Sequence, residues 1–161
     1  MSRNVGRADI IMGGHFWSYS VPYQKDIRLA LESLREQEFR AGRYWQPSEV
    51  EPGFFGRLLG RGPSKPKRPA CISEALKISD AIGTRSILDM ERVADAPELG
   101  AVSPLQPEEL RELFGTEQPT LEAIGKSDEF IDRLERGQGV YIILYQQGKA
   151  EKIYFAGYSY D

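Results

Sequence analysis

The sequence predicts an α+β protein in which a sheet of three or four mostly antiparallel strands packs against three to four helices, with a long basic loop rich in proline and glycine over residues 46–69. Three observations carry that expectation. Val140-Tyr141-Ile142-Ile143-Leu144-Tyr145 is apolar at successive positions, as a strand covered on both faces must be, and Ile153-Tyr154-Phe155-Ala156-Gly157-Tyr158 follows it across Gln147-Gly148-Lys149, which reads as a hairpin turn. Tyr23, Ile27, Ala30, Leu31 and Leu34 recur at helical spacing. Between residues 45 and 69 stand five prolines and four glycines, punctuation that leaves no regular element room to extend.

In chain order, residues 10–21 read as the first strand. His15, Trp17 and Tyr19 fall on one side and Phe16, Ser18 and Ser20 on the other. Gly13 and Gly14 suit a bulge or a close backbone approach. Pro22 fits the first turn of a helix over 22–39, with Ser20 as its cap and Gly42 as its stop. Ile72, Ala75, Leu76, Ser79 and Ile82 mark a second helix closed by Gly83. Residues 85–93 read as a strand and 95–104 as a loop with two prolines. Pro107 opens a short helix ending at Gly115, with Glu108 and Glu109 in the first turn, where the helix dipole favours negative charge. A last helix is expected over 119–136, interrupted at Gly125 and capped by Gly137. The resulting sheet needs helices on at least one face.

At 161 residues the chain is sized for one domain over 1–161. Its 40% hydrophobic and 28% charged content is globular, and no stretch approaches the roughly 20 apolar residues of a membrane span. One cysteine and one histidine exclude an internal disulfide and a Cys/His zinc cage, so no metal or other cofactor is expected. No leader pattern opens the sequence, which predicts a cytoplasmic protein. The net charge of -3 conceals an imbalance: residues 1–70 hold 12 Lys/Arg against 7 Asp/Glu, and residues 71–161 hold 9 against 17. Opposite faces that bind different things would produce this split, as would two halves that attract each other within the fold.

His15 is the only imidazole, hence the first residue to consider for proton transfer. Asp89 and Glu91 alternate along the expected 85–93 strand, which would put two carboxylates on one face for acid and base work. Arg40, Arg43, Tyr44 and Trp45 set two guanidiniums beside two aromatics at the end of the first helix, a combination that can grip and stack on an anion and that equally suits a helix C-terminus. In the 46–69 loop, Phe54, Phe55, Leu58 and Leu59 could dock as one turn among Arg57, Arg61, Lys65, Lys67 and Arg68. Nucleic acid, an anionic membrane surface or an acidic protein would answer to such a pattern. No phosphate-loop, nucleophile-elbow, zinc-protease or dinucleotide motif is present.

Trp17-Ser18-Tyr19-Ser20-Val21-Pro22-Tyr23-Gln24, Glu38-Phe39-Arg40-Ala41-Gly42-Arg43-Tyr44, Gly83-Thr84-Arg85-Ser86-Ile87-Leu88-Asp89 and Phe155-Ala156-Gly157-Tyr158-Ser159 together resemble a family of small uncharacterised bacterial proteins. The resemblance spans most of the chain and implies no activity, cofactor or catalytic residue. Charge asymmetry and missing motifs favour a non-enzymatic module that binds another protein, of the kind that neutralises or accompanies a bacterial toxin, through the acidic half or the aromatic loop. The alternative is a small enzyme acting on a phosphate-bearing or nucleotide substrate, with His15 or Asp89/Glu91 as acid and base and Arg40 or Arg43 holding the anion. Dispersal of His15, Arg43 and Asp89 would tell against the enzyme.

Overall fold

A computed structural model of the chain describes residues 14–49, 51–127 and 129–161. Among them are strands β1 (Phe16–Pro22), β2 (Arg92–Val93), β3 (Ala101–Pro104), β4 (Gln138–Gln146) and β5 (Lys149–Tyr158), and helices α1 (Ile27–Ala41), α2 (Phe54–Leu58), α3 (Ile72–Ser79), α4 (Pro107–Phe114) and α5 (Leu121–Lys126). The strands form one mixed sheet in the order β1-β5-β4-β3-β2. Its β1–β5 and β4–β5 pairings are antiparallel, and its β2–β3 and β3–β4 pairings are parallel.

The expected hairpin is the middle of this sheet. Gln147 and Gly148, at φ 51° and 74°, turn β4 into β5, the pair of left-handed residues that matches strand twist in a two-residue connection. Along β5, Ile153 and Phe155 join one apolar cluster with Leu31, Leu34, Ile87 and Leu88. Ala156 joins a second cluster with Val140, Ile142, Leu144, Ile124 and Phe130. The sheet is thus buried on both faces, by α1 and the 87–90 turn on one side and by α5 and the residues around Phe130 on the other. Trp17 lies across the sheet on the α1 side. A Cβ at Gly157 would collide with its indole, and one at Gly139 would come within 2.9 Å of it, so these two paired glycines make room for the largest core side chain.

Several expectations are corrected. The sheet has five strands rather than three or four antiparallel ones, because the segment read as a loop over 95–104 ends in β3. Ala101, Val102 and Ser103 are all buried. A strand of four residues covered on both faces shows no alternation to detect. α4 and α5 form the crossover that lets β3 and β4 run parallel. The first helix starts at Ile27 rather than Pro22, since Asp26 and not Ser20 caps it, accepting from the N–H groups of Arg28 (3.0 Å) and Leu29 (3.2 Å). Pro22 instead ends β1, where its missing N–H would point away from β5 and breaks no ladder bond.

The 85–93 strand shrinks to β2, preceded by a 3-10 turn over Ile87–Asp89 that the Ser86 side chain caps. Side chains bonded to nearby backbone compete there with strand formation. The expected 119–136 helix ends at Lys126 and resumes only as a 3-10 turn over Ile131–Arg133. The 107–114 helix matches, with Gly115 left-handed at φ 72°. The 10–13 part of the expected first strand lies outside the described residues.

Candidate functional site

Asp89 is 1% exposed, and the chain surrounds it with its own donors. Thr84 gives Oδ1 both its N–H (2.6 Å) and its hydroxyl (2.7 Å), and the Ser159 hydroxyl reaches Oδ2 (2.9 Å). Thr84 and Ser86 share a hydroxyl contact of 2.9 Å, and Ser86 accepts the Leu88 N–H at 3.2 Å. Gly83 has φ 76°, and a Cβ there would stand 2.8 Å from Asp89 Oδ2. Burial pushes the Asp89 carboxyl above its usual range, while the bonds from Thr84, Ser159 and the Arg85 backbone pull it back.

Beside this node Glu38, 3% exposed, accepts from Arg43 Nε (2.9 Å) and a terminal guanidinium nitrogen (2.6 Å). The Tyr19 hydroxyl is pushed up to about 12, first by burial and then by the charge of Glu38, with a bond to the Ile87 backbone working the other way. Tyr44 stacks on Phe39 with ring centres 5.7 Å apart, and the Trp45 N–H bonds the Thr84 carbonyl at 2.7 Å. The four sequence segments singled out above meet here. Ser159 also donates its N–H to His15 O at 3.0 Å, which ties the start of β1 to the same corner.

The donors to the Asp89 carboxylate come from the chain itself. Asp89 has no open face, and Glu91 is exposed, so the two do not share the strand face expected of them. His15 is exposed, Arg43 is held on Glu38, and none of His15, Arg43 and Asp89 hydrogen-bonds another through its side chain. Arg40 pairs with Glu36 at 2.8 Å on the exposed side of α1. No group of three or more His, Cys, Asp or Glu among the described residues could hold a metal. A void of about 10 Å³ lined by Tyr44, Trp45, Pro66 and Ala75 has room for about one water. An open depression of about 470 Å³ lies at the start of α1, but Asp26 on its wall is engaged as the helix cap.

The 46–69 loop offers a different surface. Trp45 anchors one end, and Arg68 anchors the other by donating to the carbonyls of Phe39 (3.1 Å) and Arg40 (2.6 Å) at the end of α1. Between these pins α2 turns once, starting at Gly53. Phe54, Phe55, Leu58 and Leu59 project from it at 78%, 76%, 73% and 71% exposure. The two phenyl rings meet edge to face at 5.7 Å and touch no core aromatic. Around them Arg57 holds Glu51 at 3.3 Å, while Arg61, Lys65 and Lys67 have no ion-pair partner among the described residues. Sequence reasoning named these residues, but it could not show that the turn faces outward. It passed over Thr84 and Ser159, whose only signal was their place in the quoted segments.

By fold and surface this is an α+β protein whose five-stranded mixed sheet carries a pinned loop with an apolar tip and a basic collar. Comparison with protein-family models, with curated proteins and with solved structures found no match. Among the described residues no helix is long and apolar enough to cross a membrane.

Proposed function

We propose that the chain is a non-enzymatic protein-binding module, of the immunity or toxin-accessory kind, and that the 54–61 turn is its contact surface. One observation carries the reading: four large apolar side chains are more than 70% exposed on a single turn, in a loop fixed to the body of the protein at Trp45 and at Arg68. Scattered exposed apolar residues are ordinary, whereas a contiguous apolar patch rimmed by charge marks an interaction site. The aromatic pair supplies hot-spot chemistry, and Arg57, Arg61, Lys65 and Lys67 select a partner with an apolar pocket and an acidic rim. The enzyme alternative loses support because Asp89 is sealed and Arg43 is committed to Glu38.

Co-purification of the whole chain from its own cells, beside a variant with Phe54, Phe55, Leu58 and Leu59 all changed to Ser, tests the reading. A partner retained by the natural chain, lost by the variant and weakened by added salt is expected. A partner held equally by both would remove the loop from the interface.

A further inference from the structure

Among the described residues, the two outer strands of the sheet are finished differently. β2 is two residues long and carries Arg92, which pairs with Glu98 at 2.7 Å; short length and charge are the usual protection of a sheet edge. β1 has seven residues, Phe16-Trp17-Ser18-Tyr19-Ser20-Val21-Pro22, and no charge among them. His15 O and Tyr23 N bond Ser159 and Glu151 on the β5 side, so in this antiparallel pair the odd-numbered residues face β5. The N–H and C=O groups of Phe16, Ser18 and Ser20 therefore point outward. They have no partner among the described residues, and Ser18 and Ser20 are exposed.

We propose that this edge pairs with β1 of a second copy of the chain, antiparallel about a two-fold axis at Ser18, which joins two five-stranded sheets into one. The register follows from the outward groups. Ser18 meets Ser18, and Phe16 meets Ser20 of the other copy at both ends, so the three residues of each strand exchange both of their backbone hydrogen bonds. Charge supplies the reason for a like partner: a two-fold places a strand against itself, so any Lys or Glu near the axis would meet its own copy, and β1 contains neither. Pro22, which has no N–H to offer, falls beyond the paired residues. The edge is separate from the 54–61 turn, and this proposal does not depend on that one.

Sedimentation equilibrium of the whole chain across a concentration series, with native mass spectrometry, tests it. A monomer–dimer equilibrium is expected. Ser18→Lys should raise the dissociation constant about tenfold or more by setting two ammonium groups against each other. Because Ser18 is exposed, its circular dichroism should be unchanged, and Ser18→Thr should dimerise as the natural chain does. Amide exchange at Phe16, Ser18 and Ser20 should slow as concentration rises. A chain that stays monomeric at all concentrations, a dimer that survives Ser18→Lys, or a dimer abolished by Phe54→Ser would each overturn the proposal. The last result would move the dimer interface to the loop.

Discussion

The Asp89 node and the 54–61 turn each invert the usual partition of side chains. One puts a carboxylate in the interior and the other puts phenylalanine in water. They differ in what answers the inversion. Both carboxylate oxygens of Asp89 meet a donor from this chain, drawn from Thr84 and from Ser159, which lies 70 residues away. The exposed phenylalanines and leucines meet almost nothing but each other. A buried carboxylate with internal partners is satisfied within the fold, whereas the exposed apolar cluster is the ground on which a contact surface is proposed.

Removing the internal answer should have the largest effect. Asp89→Ala strands the Thr84 N–H and two hydroxyls in the interior and should lower the unfolding free energy by about 3 kcal/mol, read from urea melts. The loop should behave in the opposite sense. Phe54→Ser with Leu58→Ser should leave stability within about 0.5 kcal/mol of the natural chain. The same change should weaken a co-purified partner by about 2 kcal/mol, roughly thirtyfold, in titration calorimetry. Loss of stability comparable to Asp89→Ala would show that the turn packs inward and would erase the contrast.

A pH series sharpens the node side. Because burial raises the folded carboxyl above its usual 3.8, the stability contributed by Asp89 is full below that value and is lost as pH rises through the folded value. Asp89→Asn keeps an oxygen for Thr84 and should flatten that slope in melts from pH 4 to 7, changing stability by about 1 kcal/mol or less. A slope identical in both proteins would assign it to other carboxylates. The smallest effect concerns Tyr19. With its hydroxyl pushed up to about 12 from the usual 10.0, its contribution is full below 10 and lost as pH rises through 12. Burial also raises Tyr141, Tyr158 and Tyr160, so ultraviolet titration should show several late-ionising tyrosines, and Tyr19→Phe should remove one component near 12 and leave the others.

The elements legible in the sequence are those whose signal is local. The 138–158 hairpin combines apolar runs with a two-residue turn, and α4 is bracketed by Pro107 and Gly115. β3 was not legible, because Ala101-Val102-Ser103-Pro104 is a strand only by virtue of lying beside β4. The 85–93 segment has strand-like residues, yet Ser86 and Asp89 spend their side chains on nearby backbone and bend it. Of the candidate site, Phe54, Phe55, Arg57 and Arg61 could be named from composition, and Asp89 from its chemistry, but not that the first group lies outside and the last inside.

Composition and spacing alone pointed to a sheet with helices and a loop broken by proline and glycine, and one cysteine and one histidine leave no internal disulfide and no zinc cage built from several such ligands. These properties depend on residue identity and on neighbours within a few positions. Tertiary structure alone decided that Ser159 reaches Asp89, that Arg68 pins the loop, that β3 runs parallel to β4 and that β1 pairs with β5. Each of these is a contact between residues far apart in the chain. Its geometry is set by how whole layers pack, for which no short stretch of sequence carries a signal.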